Sequence, residues 1–334
     1  MAAPSTLLVQ RISGGVTLTW ADNSDNEHGF EIWSSLNGGS YSLLTTTAMN
    51  VVAYNHMAAD VDNRLYKVRA KAARFLTIFT TPVNIVLENP ATAILVAKFP
   101  TPATAGLRSA INSLIASLDT AGYWDRIDCF QKFNMLARDQ TPFGWKGNFD
   151  PVLNGNNTQL AFTAKSGLKT DADSNDVTGY IDSGFIPNQG GNNFIQNSAS
   201  WIFGCPVFVT PGAISGSNIG AQCRQTWRKN GDYVALNSDV VTSDAFQQGY
   251  NALTRHEATK LRKYSGAWSE YVKNSAAIGN AKPYLGCYNA NGTMGGLTLG
   301  HTYGTNIFGE YFSDAEVESI IAMCQTFDNA VAAL

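Results

Sequence analysis

Hydrophobic and polar residues alternate in two runs between Val177 and Gly204. Tyr180, Asp182 and Gly184 alternate with Ile181, Ser183 and Phe185, and then Pro187 and the Gly190-Gly191 pair break the run. A second run, Phe194 to Phe203, follows the break. Period-two runs separated by turn residues predict two antiparallel strands. The run holding Trp201, Ile202 and Phe203 is the more apolar, which predicts a place in the middle of a sandwich.

The same alternation fills the N-terminal stretch. Val16, Leu18 and Trp20 alternate with Thr17 and Thr19, and Phe30 and Ile32 with Glu31 and Trp33. Asn37-Gly38-Gly39 suits a tight hairpin, and Tyr66, Val68 and Ala70 form an inward row against Leu65, Lys67 and Arg69. Short strands at this spacing predict a β-sandwich over residues 1–88. Pro90, Pro100 and Pro102 then mark 89–103 as a linker. From Leu107 the period lengthens: Leu107, Ile111, Leu114, Ile115 and Leu118 fall at helical spacing, with Thr104 to cap the start and Gly122 to end it. Trp124, Ile127 and Phe130 continue that apolar surface in a second short turn, so 104–139 reads as a helical leader. Residues 140–334 read as a second sandwich. Near its end Val317, Ile320, Ile321 and Cys324 line one side of a helix opened by a Ser313/Glu316 capping box.

Two stretches carry resemblances. GGVTLTWADNSDNEHGFEIWSSLNGGSYSLL and the later LYKVRA resemble a fibronectin type III domain; Arg64 stands where that family usually places its corner tyrosine. GYIDSGFIPN, NNFIQNSAS, WDRID (Trp124 to Asp128) and NIFGEYFSDAEVESI resemble the laminin-G/concanavalin-like sandwich of bacteriophage and prophage virion proteins, over roughly residues 104–334. The resemblance implies a concanavalin-like jelly roll, a place in a spike, tail or fibre, and host attachment. It implies other virion proteins as partners, a homo-oligomer (a trimer favoured), and a host surface glycan or receptor. None of these pieces is a catalytic signature.

Composition narrows the setting. The 334 residues are 44% hydrophobic, enough for packed cores, and a net charge of −3 gives no field for nucleic acid or an anionic membrane. MAAPSTLLVQ has no basic n-region or long apolar core, and no stretch reaches the ~18–20 apolar residues of a membrane span. The five cysteines, Cys129, Cys205, Cys223, Cys287 and Cys324, are scattered, form no CxxC and stand at no metal-ligand spacing with a histidine, which reads as reduced, buried thiols. An extracellular-looking fold made in a cytoplasm without a signal peptide fits a virion surface protein released by lysis.

Candidate chemistry is sparse. Asp171, Asp173, Asn175 and Asp182 stand at relative positions 1, 3, 5 and 12 of a calcium-type loop, but Asp176 occupies the position that needs glycine and no helix flanks it. A solvated turn fits better, so no metal or other cofactor is expected. In the first sandwich Asp22, Asp25 and Glu27 suit an Asx-held loop better than an ion. Gly212 to Gly220 reads as a flexible loop without the Lys that would hold a phosphate. Glycoside cleavage needs paired carboxylates ~5–9 Å apart, and no strand-borne pair is present, so binding is expected rather than catalysis. Trp227, Tyr233, Trp268, Tyr288, His301 and Tyr303 are the candidate glycan-stacking residues, with Tyr271 beside them and hairpin tips at Ser265-Gly266 and Asn291-Gly292. A purely structural virion component (a vertex or connector piece) is the alternative, and a glycan-cleaving enzyme the weaker third.

Overall fold

The structure, a computed structural model, describes residues 2–12, 15–36, 39–57, 64–72, 76–80, 83–84, 89–155, 160–170, 179–207, 214–219, 223–228, 233–238, 241–242, 246–290, 293–297 and 301–334. The chain is mainly β, and it divides into two compact units, Met1–Glu88 and Asn89–Leu334.

In the first unit a three-stranded sheet, in the order Ser5–Ile12, Gly15–Ala21, Ala53–Met57, packs on a four-stranded one, in the order Ser42–Thr46, Gly29–Leu36, Arg64–Lys71, Val83–Asn84. The alternating residues form the core as the period requires: Val16, Leu18, Phe30, Ile32, Tyr66, Val68 and Ala70 are buried between the sheets, with Trp20 edge-on to Phe30. The Asp22 carboxylate accepts from the Ser24 amide at 2.9 Å, and Asn23 donates to the Ala3 carbonyl, so these side chains hold the loop. Arg64, in the corner position, donates to Ser34 Oγ at 3.0 Å.

The second unit is built on a seven-stranded sheet. Its order is Trp268–Val272, Lys260–Tyr264, Gly249–Glu257, Ala199–Cys205, Thr305–Gly309, Ile127–Lys132, Gly144–Lys146. Ala199–Cys205 is the fourth strand and every one of its residues is buried. Successive side chains on the central strands enter different cores. Cys129, Trp201, Phe203, Leu253 and Phe308 face a second β layer, while Phe130, Ile202, Ala252 and Ile307 face helices. The second layer comprises a six-stranded sheet and two three-stranded ones, and it contributes Leu168, Ile181, Phe185, Leu236 and Leu285 to the shared core.

Among the described residues three helices cover the opposite face: α1 (Pro90–Ala97), α2 (Ala105–Thr120) and α3 (Asp314–Ala333). The Thr104 side chain caps α2, and Ser313 with Glu316 forms the predicted box on α3. Gly122 sits just past the end of α2 at φ +75°.

Several expectations are corrected. Residues 89–103 are not a free linker: α1 lies there, with Pro90 at its first turn and the Asn89 side chain accepting from the Ala91 amide. Leu95, Val96 and Phe99 enter the same core as α2 and α3, and the Asn89 amide donates to Asn112 of α2 at 2.5 Å. The helical leader does not extend to 139. After a 3₁₀ turn at Trp124–Arg126 the chain becomes the Ile127–Lys132 strand, because an apolar run covered on both faces loses the alternation that marks a strand. The two runs of the Val177–Gly204 stretch do not pair with each other. Tyr180–Asp182 lies between Val152–Asn154 and Tyr284–Leu285, whereas Ala199–Cys205 lies in the seven-stranded sheet, so the break carries the chain from one layer to the other. The stretch read as a glycine-rich loop contains a strand, Ile214–Ile219, antiparallel to Cys223–Arg228 and parallel to Cys287–Ala290.

If α1 belongs to the second core, Leu95→Ala should cost about 2–5 kcal/mol, while Ile94→Ala, on the exposed side of the same helix, should cost little. Urea denaturation of both variants measures this, and equal small effects would return 89–103 to the status of a linker.

Candidate functional site

The separated motifs of the virion-like resemblance meet in space. Asp128 of WDRID accepts from the amides of Asn193 (2.8 Å) and Phe194 (2.7 Å) and from the Asn193 side chain (3.0 Å). Burial pushes its carboxyl up from the usual value, against those hydrogen bonds. Ser198 and Ser200 of NSAS accept from the amides of Tyr311 and Phe312 at 3.1 and 2.8 Å. Arg126 donates to Glu310, to Glu316 and to the Tyr311 carbonyl, and lies 4.6 Å from the Phe312 ring centre. The Arg126 hydrogen bond holds the Glu316 carboxyl below the usual value. Asp128, Ser198, Ser200 and Arg126 are thus spent on holding these distant segments to one another.

The six candidate stacking residues do not form one rim. His301 and Tyr303 are fully buried, Tyr303 in the core between the layers, so neither offers a face to solvent. Tyr303 lies in the Thr302–Tyr303 strand, which pairs with Gly167–Thr170, and the His301 carbonyl just before it accepts from the Thr170 amide, placements that the isolated sequence hides. Trp268 is half-buried. Its indole N–H donates to Glu318 at 2.9 Å, and the Arg262 guanidinium, paired with Asp314 at 2.7 Å, lies 5.1 Å from its ring centre. Tyr264 packs beside it at 5.3 Å. Trp268 therefore helps seat the start of α3. Trp227, Tyr233 and Tyr288 fall in strands, and their side chains lie outside the described residues.

The weak metal candidates Asp171, Asp173 and Asn175, with Asp176, also lie outside the described residues, as do the tips Asn37-Gly38 and Asn291-Gly292. Asp182 accepts from the Gly184 amide at 2.8 Å and lies 3.7 Å from Lys282. Among the described residues no three His, Cys, Asp or Glu side chains cluster as metal ligands, and no helix is long and apolar enough to cross a membrane.

A different polar cluster stands out. Lys132 has no exposed surface, yet its ammonium lies 2.5 Å from Asp328 of α3, 2.8 Å from Thr305 Oγ1 and 3.1 Å from Tyr250 Oη, so all three N–H groups are used. Asp328 also accepts from Asn134 Nδ2 and from the Tyr250 hydroxyl, both at 2.6 Å. Burial pushes the Tyr250 phenol well up, so it stays a donor to Asp328. A buried charge is tolerated only when paired and hydrogen-bonded, and here it fixes the last turns of α3 to the sheet.

Asn134, Tyr250, Thr305 and Asp328 of this cluster, though not Lys132, line a cavity of about 220 Å³ whose walls include Pro206, Val207, Lys165 and Ser166. Gly204 opens it from the strand side, since a Cβ there would come within 3.1 Å of the Tyr250 ring. Sequence reading missed this site. Lys132 and Asp328 are 196 positions apart, and Lys132 sits in an unremarkable run; the only local sign was glycines at the ends of apolar strands (Gly204, Gly304), which mark close approach.

No protein-family profile and no curated protein matches the chain. Fibronectin type III-like proteins are among the solved structures similar to it. One is an Fn3-like protein from Clostridium thermocellum, 21% identical over 24% of this chain and 86% of that one, with a TM-score of 0.21. Another is a two-domain fibronectin type III segment of chicken tenascin, 7% identical over 83% of this chain and 99% of that one, with a TM-score of 0.23. A third is the chicken interferon gamma receptor alpha chain, with the same identity and score over 83% and 98%. At these scores the fibronectin-like character of the first unit rests on its own three-on-four strand order.

Asp328→Ala leaves the Lys132 ammonium buried and unpaired and should cost about 3–5 kcal/mol. Lys132→Met in that background should recover part of the loss. A double-mutant cycle by chemical denaturation measures the coupling, and additive losses would mean that the pair does not act as a unit.

Proposed function

We propose that the chain is a bacteriophage or prophage virion surface protein, part of a spike, fibre or tail appendage, that contacts the host through its second unit. The observation that carries this reading is the convergence of WDRID, NNFIQNSAS and NIFGEYF. Three pieces more than sixty residues apart lock to one another through Asp128, Ser198, Ser200 and Arg126, as parts of one inherited fold should. The concanavalin-like assignment of the second unit belongs to the same proposal. A two-layer sandwich with strand-end hollows suits shallow glycan contacts, made strong by repetition in a trimer or other homo-oligomer beside other virion proteins.

The reading is of binding without cleavage. The carboxylates Asp128, Asp328 and Glu316 described above, and Glu31 of the first unit beside Arg69 and Lys71, are each engaged by amides or cations. An acid and a facing base for glycoside hydrolysis would need to be free of such duties. The same engagement favours a second reading, a vertex or connector component without a receptor, since the motif residues serve the fold.

Displayed in many copies on a bead or nanoparticle, the full chain should bind host cells and slow adsorption of a phage that carries it, releasing no reducing ends from host polysaccharide. Its presence in purified particles is checked by mass spectrometry. Presence in particles without any effect on adsorption would select the structural reading, absence from particles would remove both, and sugar release would make the protein an enzyme.

A further inference from the structure

We propose that Lys132 and Asp328 condense to an intramolecular amide, an isopeptide bond that ties the Ile127–Lys132 strand covalently to the last turns of α3. The bond is chemistry of this chain alone and does not depend on the attachment reading. Exposure singles the pair out. Among the described residues the other lysines that meet a carboxylate are Lys71, Lys98, Lys146, Lys260 and Lys282, and their side chains are 21% to 44% exposed. The Lys132 side chain has no exposure at all. Its Nζ lies 2.5 Å from Asp328 Oδ1, closer than the ~2.7–2.9 Å of an ordinary charged N–H···O bond, and 4.9 Å from the Phe327 ring centre.

The neighbours of the pair set up the reaction. An amine attacks a carboxyl carbon only through its lone pair, so the ammonium first passes a proton to Oδ1 along their hydrogen bond. A dry interior favours that transfer, because charges are costly there. The neutral amine keeps two hydrogens. Thr305 Oγ1 at 2.8 Å and Tyr250 Oη at 3.1 Å accept them, which leaves the lone pair on the side of the carboxyl group. Oδ2 accepts from the Tyr250 hydroxyl at 2.6 Å, a donor already in place where negative charge develops as the N–Cγ bond forms. Asn134 donates at 2.6 Å to Oδ1, the oxygen that leaves.

The step balances without a further reagent. Nζ gives up two protons to Oδ1, the Cγ–Oδ1 bond breaks, and one water departs. An amide N–H and the carbonyl formed by Oδ2 remain, so both charges vanish from the interior. Asp328 also lines the cavity of about 220 Å³, which gives the water a way out. Holding amine and carboxyl in contact makes the condensation intramolecular, the source of large effective concentrations. The bond spans 196 positions and restricts the unfolded chain, so it stabilises the fold beyond what the ion pair does.

Intact mass spectrometry of the full chain under denaturing conditions tests the proposal. The mass should fall below that of the sequence by one water, and proteolysis should release a branched peptide that joins Lys132 to Asp328. Lys132→Met should show no water loss. Tyr250→Phe, sampled while the unaltered chain is half linked, should hold at least about tenfold less linked product. Should Lys132→Met fail to fold, the branched peptide in the unaltered chain decides alone. The full sequence mass in the folded chain, a water loss that maps to any other pair, or linkage at an unchanged rate in Tyr250→Phe would overturn the proposal.

Discussion

The second unit depends on one constraint: the central strands of its seven-stranded sheet are covered on both faces. Trp201 and Phe203 point into the sandwich while Ile202, between them, points at the helices. Neither core can form without the other, because a strand leaves its opposite face exposed until the second cover is in place. At ~25 cal/mol per Å² of apolar surface, exposing the Phe130, Ile202 and Ile307 face alone would cost several kcal/mol. That is why the helices are stapled so firmly. Arg126 holds the start of α3 through Glu316, and Lys132 holds its end through Asp328. Both cations flank or occupy the same Ile127–Lys132 strand.

This also explains what the sequence could and could not reveal. Half-covered strands of the first unit kept their alternation, so Val16, Leu18, Tyr66 and Val68 were legible as a core. The Thr104 and Ser313 caps were legible because capping is local. Ile127–Lys132 was not, since a strand buried on both faces reads like the continuation of an apolar helix. The prolines at 90, 100 and 102 suggested a linker, yet Pro90 serves the first turn of α1, and burial of Leu95 and Phe99 is a tertiary fact that no local pattern announces. Aromatic residue type proved a poor guide to exposure. Tyr303 is core and Trp268 is a helix seat, so neither matches the open stacking face expected of a glycan rim.

The motifs and the cavity divide the labour. WDRID, NSAS and NIFGEYF contribute locks between distant segments, and Asp128, Ser198, Ser200 and Arg126 are used up in doing so. Asn134, just past the Ile127–Lys132 strand, and Asp328, facing it from α3, line the hollow where Gly204 and Gly304 leave space. A rigid doubly covered sheet is a suitable mount for such a hollow, because its floor is positioned by a buried charge network and not by a loop.

The most direct test of the account is native-state hydrogen exchange on the intact chain. If the sheet and its helical cover form one cooperative unit, the amides of Trp201–Phe203, Phe130 and Ile307 and those of mid-α3, Ile320–Cys324, should exchange only through the same, largest opening. Opening of mid-α3 at a clearly lower free energy than the Ala199–Cys205 strand would contradict it, and would make the helices an added layer on a sandwich that stands by itself.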